Sequence, residues 1–305
     1  MIIIRLMGGL GNQMQQYALY KKYVSLGKDV RLDLSWFGDD VQGTMKAPRS
    51  LELKTFEKVS YLEATPDEVR RLTGGESIIG RMRRKIRNTY VVENRMYDPK
   101  LLERDDVYLE GYWAADAYYA DVMPVIRGDF TFDEGGAGPA AGEMAARIRE
   151  SKPSVAVHVR RGDYLDPENE AIFGNIATEE YYSSAISCIR EKLPGARFYV
   201  FSDDPGYAAQ KYGSEPDVTI VDVNRGADSR YDMWLMSLCD AHACANSTFS
   251  FWGARLSAGY LQGALRIRPT IQKNTQTFDH ELMRELWKGW TFIDPHGKIY
   301  DGSSF

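Results

Sequence analysis

The stretch 154–164, Ser-Val-Ala-Val-His-Val-Arg-Arg-Gly-Asp-Tyr, begins as a strand and ends as a charged turn. Its three valines recur at the two-residue period of a strand, so His158 and Arg160 fall on the opposite face. Such a strand carries polar side chains to its carboxyl end, where ligands bind in open α/β sheets. Guanidinium groups there are costly to desolvate unless they meet an anion. The stretch predicts either an internal salt bridge, such as Arg161 to Asp163, or a phosphate site.

Composition and charge exclude several classes of protein. The 305 residues are 44% hydrophobic and 27% charged, as expected for a globular chain of two domains or one large α/β domain. With 38 Lys and Arg against 43 Asp and Glu, the net charge of −5 argues against a nucleic-acid binder. No apolar run is long enough to span a bilayer, and the first residues lack the features of a signal peptide. The three cysteines have no metal-binding spacing and indicate free thiols in a reducing compartment, so a cytoplasmic location is expected.

The chain opens with a βαβ pattern. Residues 2–6 and 30–34 predict strands, and a helix is expected between them from about residue 14 to 25, which favours a parallel sheet. The intervening glycine loop departs from the dinucleotide fingerprint at Met14, so it predicts a backbone loop able to meet a polar or anionic ligand, or merely a tight turn. The loop residues that are candidates for ligand contact are Gly9, Gly11, Asn12 and Gln13.

Two further features of the first half each admit two interpretations. Segment 81–87 has five cations, with Met82 and Ile86 four residues apart, and predicts an amphipathic helix with a solvated basic face. Contact of that helix with an anionic membrane surface is the alternative. Tyr112 and Trp113 follow a predicted strand and are either core residues or an aromatic wall on which an acceptor sugar stacks.

The glycine-rich stretch 135–142 predicts a linker between a domain of residues 1–134 and a domain of residues 143–305, whose last residues can pack back on the first. The second domain repeats the α/β rhythm. One predicted strand ends in Ser202, Asp203 and Asp204. Another leads into a helix that starts with Asn246, Ser247 and Thr248, a hydroxyl-rich terminus suited to a phosphate or to ordinary capping.

These strand ends describe a nucleotide diphosphate site that lacks both a Walker loop and an Asp-x-Asp metal clamp. Arginine and a helix dipole are therefore expected to neutralise the diphosphate. Six motifs resemble, in the same order, those of bacterial α-1,2-fucosyltransferases, which form glycosyltransferase family 11. They lie at residues 8–14, 111–113, 158–164, 201–204, 232–237 and 245–254.

The resemblance implies an α/β fold of the GT-B type, with two Rossmann-like domains whose parallel sheets face each other across a cleft. The first domain would bind a galactose-terminated oligosaccharide acceptor and the second GDP-β-L-fucose. It further implies inverting transfer to the galactose 2-hydroxyl without metal or other cofactor, in bacterial surface polysaccharide synthesis. Peripheral association with the cytoplasmic face of the inner membrane is compatible with this role. The alternatives are a transferase for another GDP-sugar or acceptor, and a non-catalytic nucleotide- or glycan-binding protein.

Within this framework Arg160 is the expected partner of the leaving β-phosphate. Asp203, in preference to Asp204, is expected to read the guanine edge, and His158 to hold base, ribose or phosphate. Asp163 is either the base for the acceptor proton or a carboxylate that fixes an arginine. The remaining donor-binding candidates are Arg161, Ser202, Asn246, Ser247 and Thr248.

Overall fold

The computed structural model describes residues 1–45, 48–75 and 78–301, without the side chains of residues 78, 80, 81, 83 and 163. The chain divides into two compact units, Met1–Thr131 and Phe132–Phe305. Each unit is built around a parallel sheet with helices in the connections. This confirms the predicted α/β class with two Rossmann-like domains. No helix in the described ranges is long and apolar enough to cross a membrane.

The first unit holds a four-stranded sheet in the order β2-β1-β4-β3, with every pairing parallel. Its strands are β1 (Ile2–Arg5), β2 (Val30–Asp33), β3 (Tyr90–Val92) and β4 (Val107–Glu110). Its helices are α1 (Leu10–Ser25), α2 (Asp39–Gln42), α3 (Pro66–Thr73), α4 (Ile78–Arg87) and α5 (Met123–Asp129). The apolar run of β1 is buried at the centre, where Ile3 packs with Leu72 and Tyr108.

The second unit holds a seven-stranded sheet in the order β11-β10-β9-β8-β5-β6-β7, parallel except for β11. Its strands are β5 (Ser154–Val159), β6 (Arg197–Ser202), β7 (Val218–Val221), β8 (Ala241–Ala243), β9 (Arg266–Pro269), β10 (Thr291–Ile293) and β11 (Ile299–Tyr300). Its helices are α6 (Pro139–Glu150), α7 (Pro167–Phe173), α8 (Glu179–Lys192), α9 (Pro205–Tyr212), α10 (Arg230–Ser237), α11 (Thr248–Leu256) and α12 (His280–Leu286).

The order of these strands sets where a ligand can bind. The chain runs from β5 outward through β6 to β7, then returns to β8 on the other side of β5 and continues outward. The connections therefore diverge between β5 and β8, and such a switch point leaves a crevice at the carboxyl ends of the strands. The stretch 154–164 leaves β5 at this point, and residues 244–248 leave β8.

Two predicted boundaries were wrong. Helix α1 begins at Leu10 rather than near residue 14, because Gly9 already has extended backbone angles that cap a helix and Gly8, at φ +82°, supplies the turn. Gly11, Asn12 and Gln13 are therefore helical residues. The stretch predicted as a linker belongs to the second unit, where Glu134–Gly136 forms a 3-10 turn and α6 starts at Pro139. Proline in the first turn and the alanines after it favour helix over linker.

Candidate active site

The charged turn after β5 is built on a fully buried strand. Its valines pack into a core with Tyr181 and Ile189 of α8, while His158 lies on the opposite face beside Phe249, as the period predicted. The Tyr182 hydroxyl donates to the His158 carbonyl at 2.8 Å, and the Tyr181 hydroxyl donates to the Cys244 carbonyl at 2.5 Å. These two bonds fix the backbone on both sides of the switch point.

Arg160 and Asp203 form an ion pair at the carboxyl end of the sheet. Nη1 of Arg160 lies 2.9 Å from Oδ2 of Asp203, and the side chains are 27% and 23% exposed. The other oxygen, Oδ1, accepts from the Arg161 amide at 2.8 Å. A Cβ on Gly162 would lie 2.3 Å from Asp203 Oδ2, so only glycine permits this close approach. The turn therefore contains an internal ion pair, and it joins Arg160 to Asp203.

Arg161 is held away from Arg160 by a separate set of contacts. Its Nε lies 3.3 Å from Oδ2 of Asp204, and its guanidinium stacks over the Tyr207 ring with Cζ 3.7 Å from the centroid. Asp204 also caps α9, because its Oδ1 accepts from the Tyr207 amide at 3.0 Å. The predicted pairing of Arg161 with Asp163 involves a side chain that lies outside the described part of the structure.

A hydrogen bond crosses the switch point. The Tyr164 hydroxyl donates to the Asn246 carbonyl at 3.1 Å, and the Arg160 guanidinium lies 5.7 Å from the centre of the Tyr164 ring. The buried Asn246 side chain donates to the carbonyls of Phe173 and Gln272 at 3.0 and 3.2 Å. Asn246 therefore shapes the loop after β8 and brings the start of α11 to the same crevice as Arg160.

The start of α11 has the character of an anion site. Ser247 precedes the helix in an extended conformation, and its side chain makes no capping hydrogen bond. Thr248 is the first helical residue, so its hydroxyl and the N–H groups of the first turn lie at the positive end of the helix dipole. Ser202, at the end of β6, accepts from the Asp204 amide through its hydroxyl at 3.1 Å and so shapes the neighbouring turn.

His158 is a neutral group in this site. Burial, together with repulsion from Arg160, lowers the pKa of its imidazole to about 3. Within the described residues its Nδ1 has no hydrogen-bond partner. An imidazole with this pKa carries no charge at neutral pH and is a poor base there, so His158 can offer a hydrogen bond to a ligand but no cation.

The glycine loop and the aromatic pair of the first unit follow two neighbouring strands, β1 and β4. Gln13 is fully buried and donates to the carbonyls of Gly8 and Ser50 at 2.9 Å, so its amide braces the protein. Trp113 is 2% exposed at φ +53° and belongs to the core, where it cannot offer its face to a sugar. Tyr112 remains half-buried.

Sequence reasoning missed several contributors. Among them are Tyr181, Tyr182 and Tyr207, which the sequence motifs do not single out. Glu93 also went unnoticed; its carboxylate accepts from the amides of Tyr112 and Trp113 at 2.7 and 3.1 Å and holds the left-handed turn of Trp113. The only available signal was the Thr178 cap, which directs Tyr181 and Tyr182 toward the strands from the first turn of α8.

Among the described residues, no group of three or more His, Cys, Asp or Glu side chains is arranged to hold a metal ion. The cationic groups at the switch point are Arg160 and the positive end of α11.

Comparison with known proteins identifies the family. A family model described as glycosyl transferase family 11 matches residues 89–294. An α-1,2-colitosyltransferase of Escherichia coli is 30% identical over 270 residues, which are 84% of this chain and 87% of that protein. Galactoside 2-alpha-L-fucosyltransferase Sec1 of Mus musculus is 27% identical over 157 residues, 50% of this chain and 43% of that protein.

A solved structure of the α-1,6-fucosyltransferase NodZ, soaked with GDP-fucose, covers 84% of this chain and 92% of its own at 15% identity and a TM-score of 0.47. The family model spans more than half of the chain, and the residues it matches include the Arg160 turn and the start of α11. The chain therefore belongs to glycosyltransferase family 11 and is a glycosyltransferase.

Proposed function

We propose that this enzyme transfers L-fucose from GDP-β-L-fucose, with inversion and without a metal ion, to the 2-hydroxyl of a terminal galactose-type residue. The observation that carries the proposal is the pairing of Arg160 with Asp203 at the switch point, next to the start of α11. A fork of guanidinium donors and a helix N-terminus are the two protein features that bind a diphosphate best. Family membership supplies the sugar-transfer chemistry.

Binding of the donor exchanges partners around Asp203. A partly exposed ion pair of this kind contributes about 1 kcal/mol or less, so a diphosphate with a higher charge can displace the carboxylate from Arg160. Asp203 then keeps its bond from the Arg161 amide through Oδ1 and turns Oδ2 toward the N–H groups of guanine. Asp204 remains the cap of α9 and the partner of Arg161.

In the transfer step the bond from the fucose anomeric carbon to the β-phosphate oxygen breaks as the acceptor oxygen bonds to the opposite face of that carbon. The electron pair of the broken bond leaves with GDP, and Arg160 together with the first N–H groups of α11 stabilises the added charge. The acceptor hydroxyl loses its proton to a base, for which Asp163 is our candidate.

The role of Asp163 is open to a direct test. Loss of a general base typically lowers the rate by about 10²–10⁴-fold. Replacing Asp163 with Asn should therefore lower kcat by that amount while leaving the unfolding temperature unchanged. A fall in the unfolding temperature with kcat retained would instead assign Asp163 to the scaffold.

The sugar donor that competes with GDP-fucose in this proposal is GDP-colitose, because a similar protein is an α-1,2-colitosyltransferase. Colitose is L-fucose without the 3-hydroxyl. A site built to hydrogen-bond that hydroxyl would reject the deoxy sugar by about 10⁴–10⁵-fold, whereas a site that ignores it would accept both. We expect kcat/KM with lactose to be higher for GDP-fucose than for GDP-colitose; the reverse order would make the enzyme a colitosyltransferase.

The acceptor and the metal are tested in the same assay. GDP-fucose is mixed with lactose or another β-galactoside, with and without EDTA, and the product linkage is read by NMR. An α-1,2-linked product whose yield is insensitive to EDTA is expected. Loss of activity in EDTA would overturn the metal-free mechanism, and absence of any fucosylated β-galactoside would overturn the acceptor. Binding of GDP-fucose with neither transfer nor hydrolysis would identify a non-catalytic protein.

A further inference from the structure

Helix α4 presents an apolar stripe to solvent. Ile79, Met82 and Ile86 are 66%, 61% and 80% exposed. Their spacing of three and four residues places them on one face of the helix. The sequence predicts an amphipathic helix with a solvated basic face, and the structure exposes the apolar face of this helix to solvent as well.

The attachment of α4 to the unit explains its orientation. The guanidinium of Arg84 lies over the Tyr90 ring of β3, with Cζ 4.6 Å from the ring centroid. At about 100° per residue, Arg84 lies on the side of the helix opposite the stripe formed by Ile79, Met82 and Ile86. The cationic residue therefore faces the protein, and the apolar residues face away from it.

Cations border the stripe on both sides. On the same helical projection, Lys85 lies along one edge and Arg87 along the other, and both are exposed. Residues 78–88 contain five Lys and Arg and no Asp or Glu, in a chain whose net charge is −5. This segment is thus a local concentration of positive charge around exposed apolar side chains.

We propose that α4 is an interfacial helix that docks on an anionic lipid surface. In that position Ile79, Met82 and Ile86 enter the boundary of the acyl chains, and Lys85 and Arg87 lie level with the lipid phosphates. The ten residues of α4 extend about 15 Å, half the thickness of the hydrocarbon core, which suits a helix lying along the surface. Charge complementarity selects this partner, since a neutral apolar surface would gain nothing from the bordering cations.

The test is co-sedimentation of the full chain with vesicles of phosphatidylcholine alone or mixed with phosphatidylglycerol. Binding to the mixed vesicles is expected, weakening as salt rises from 0.1 to 0.5 M. Replacing Lys85 and Arg87 with Gln should weaken partitioning roughly fivefold for each cation removed. Replacing Ile79 and Ile86 with Ser should also reduce binding and leave its salt dependence in place.

Matched controls come from the second unit, where Leu261 is 53% exposed and Lys288 is also exposed. The substitutions Leu261→Ser and Lys288→Gln should leave vesicle binding unchanged. Equal binding by the α4 variants and the original chain would overturn the proposal, as would failure to bind the mixed vesicles at low salt. A lipid-independent dimer abolished by the Ile79 and Ile86 variant would assign the stripe to a second copy instead.

These readouts do not depend on the sugar transferred. The variants should retain their unfolding temperatures and their turnover of GDP-fucose with a soluble acceptor. Failure of lipid binding and failure of the proposed transfer are therefore distinguishable.

Discussion

Arg160 and Arg161 are adjacent in the chain but have different surroundings. Arg160 pairs with Asp203 at the switch point and lies 5.7 Å from the centre of the Tyr164 ring, whereas Arg161 pairs with Asp204 and lies 3.7 Å from the centre of the Tyr207 ring. The guanidinium of Arg161 is stacked closely on its ring and that of Arg160 is not, so Arg160 is the better placed of the two to turn toward a ligand. Arg160 is therefore the arginine we assign to the leaving diphosphate.

Replacement of Arg160 by Lys should lower kcat about 10²–10³-fold, because a point charge replaces a preorganised fork of donors. The unfolding temperature should stay the same, since the ion pair with Asp203 is partly exposed. Steady-state kinetics and thermal unfolding check both parts. The matched control is Arg190→Lys, which alters an arginine paired with Asp217 and Glu215 outside the site and should leave kcat intact. Equal kinetics for the two variants would reject the assignment of Arg160.

Replacement of Gly162 by Ala should disturb Asp203, the carboxylate that we propose binds guanine. The added Cβ would lie 2.3 Å from Oδ2 of Asp203 and 3.1 Å from its Cγ, so the carboxylate must shift. Misplacement of a group in the active site by about 1 Å can cost about 10²-fold in rate. Kinetic measurement should show a loss of kcat/KM of that order with unchanged stability; full activity would show that the position of Asp203 does not matter for donor binding.

At the residue scale the sequence predicts chemistry better than contacts. The valine period and the charged turn were sufficient to place His158 and Arg160 at a strand end. The sequence does not predict that Asp203 is the carboxylate paired with Arg160, because the parallel pairing of β5 and β6 brings these two residues together. Gln13 was misjudged for a similar reason: its partners, Gly8 and Ser50, include a residue far along the chain.

At the scale of elements, caps and periodic strands were predictable. Threonine is a preferred N-cap residue, and Thr65 accepts from the Glu68 amide at the start of α3 and Thr178 from the Tyr181 amide at the start of α8. The small residues at 243–245 predict a strand, which the structure places two residues earlier as β8, and no pattern in the sequence predicts β9 or β10. Such short strands have too few residues for a period, and they are stabilised by neighbours in the sheet rather than by local preference. The orientation of α4 depends on Arg84 and Tyr90 and has no local signature.

Helix α6 offers a prediction of increased stability. Gly142 lies within its exposed first turns, and a Cβ there would meet no atom within 4 Å. Alanine should raise the stability by about 0.5–1 kcal/mol because it costs less backbone entropy in a helix. Thermal unfolding should show an increase of roughly 1–4 °C.

Gly195 provides the opposite case for the same substitution. It also has open space around it, but its φ is +80°. Alanine there should lower the stability by about 1–2 kcal/mol because of left-handed strain. A loss of stability at Gly142, or no loss at Gly195, would contradict the reasoning about backbone conformation.

At the scale of the whole molecule, one feature occurs in both units. A central buried strand, β1 or β5, ends in a glycine-containing turn that is bonded to the segment following the neighbouring strand. In the first unit Gln16 joins the segments that follow β1 and β4, accepting from the Met7 amide and donating to the Gly111 carbonyl, both at 2.9 Å. In the second unit Tyr164 joins the segments that follow β5 and β8 by donating to the Asn246 carbonyl. The sequence predicted this repeated build because the βαβ pattern appears in both halves.

Two buried histidines of the second unit make the stability of the protein depend on pH. Burial lowers the pKa of His158 to about 3 and that of His242 to about 4. Unfolded histidine has a pKa of about 6.5, so below that pH the unfolded chain binds protons that the folded chain does not. The stability that each neutral histidine contributes is fully present above pH 6.5 and is lost as the pH falls toward 4. Between pH 7 and pH 5, each histidine should lower the free energy of unfolding by about 2 kcal/mol.

One carboxyl acts in the opposite direction. Burial raises the pKa of Asp232 to about 6, so the folded chain takes up a proton there before the unfolded chain does. As the pH falls from 7 to 5, protonation of Asp232 should raise the free energy of unfolding by roughly 1 kcal/mol. The histidines still dominate, and the free energy of unfolding should fall by about 3 kcal/mol over this range from these three groups.

Urea unfolding of the original chain and of His242→Gln at pH 7 and pH 5 isolates one histidine. His242 lies outside the proposed site, with Nε2 2.9 Å from the Met236 carbonyl, a bond that a glutamine amide can also donate. Between pH 7 and pH 5, the free energy of unfolding should fall by about 2 kcal/mol less in the variant than in the original chain, whatever the stability of the variant at pH 7. Parallel losses in the two proteins would show that the His242 imidazole takes up its proton in the folded state.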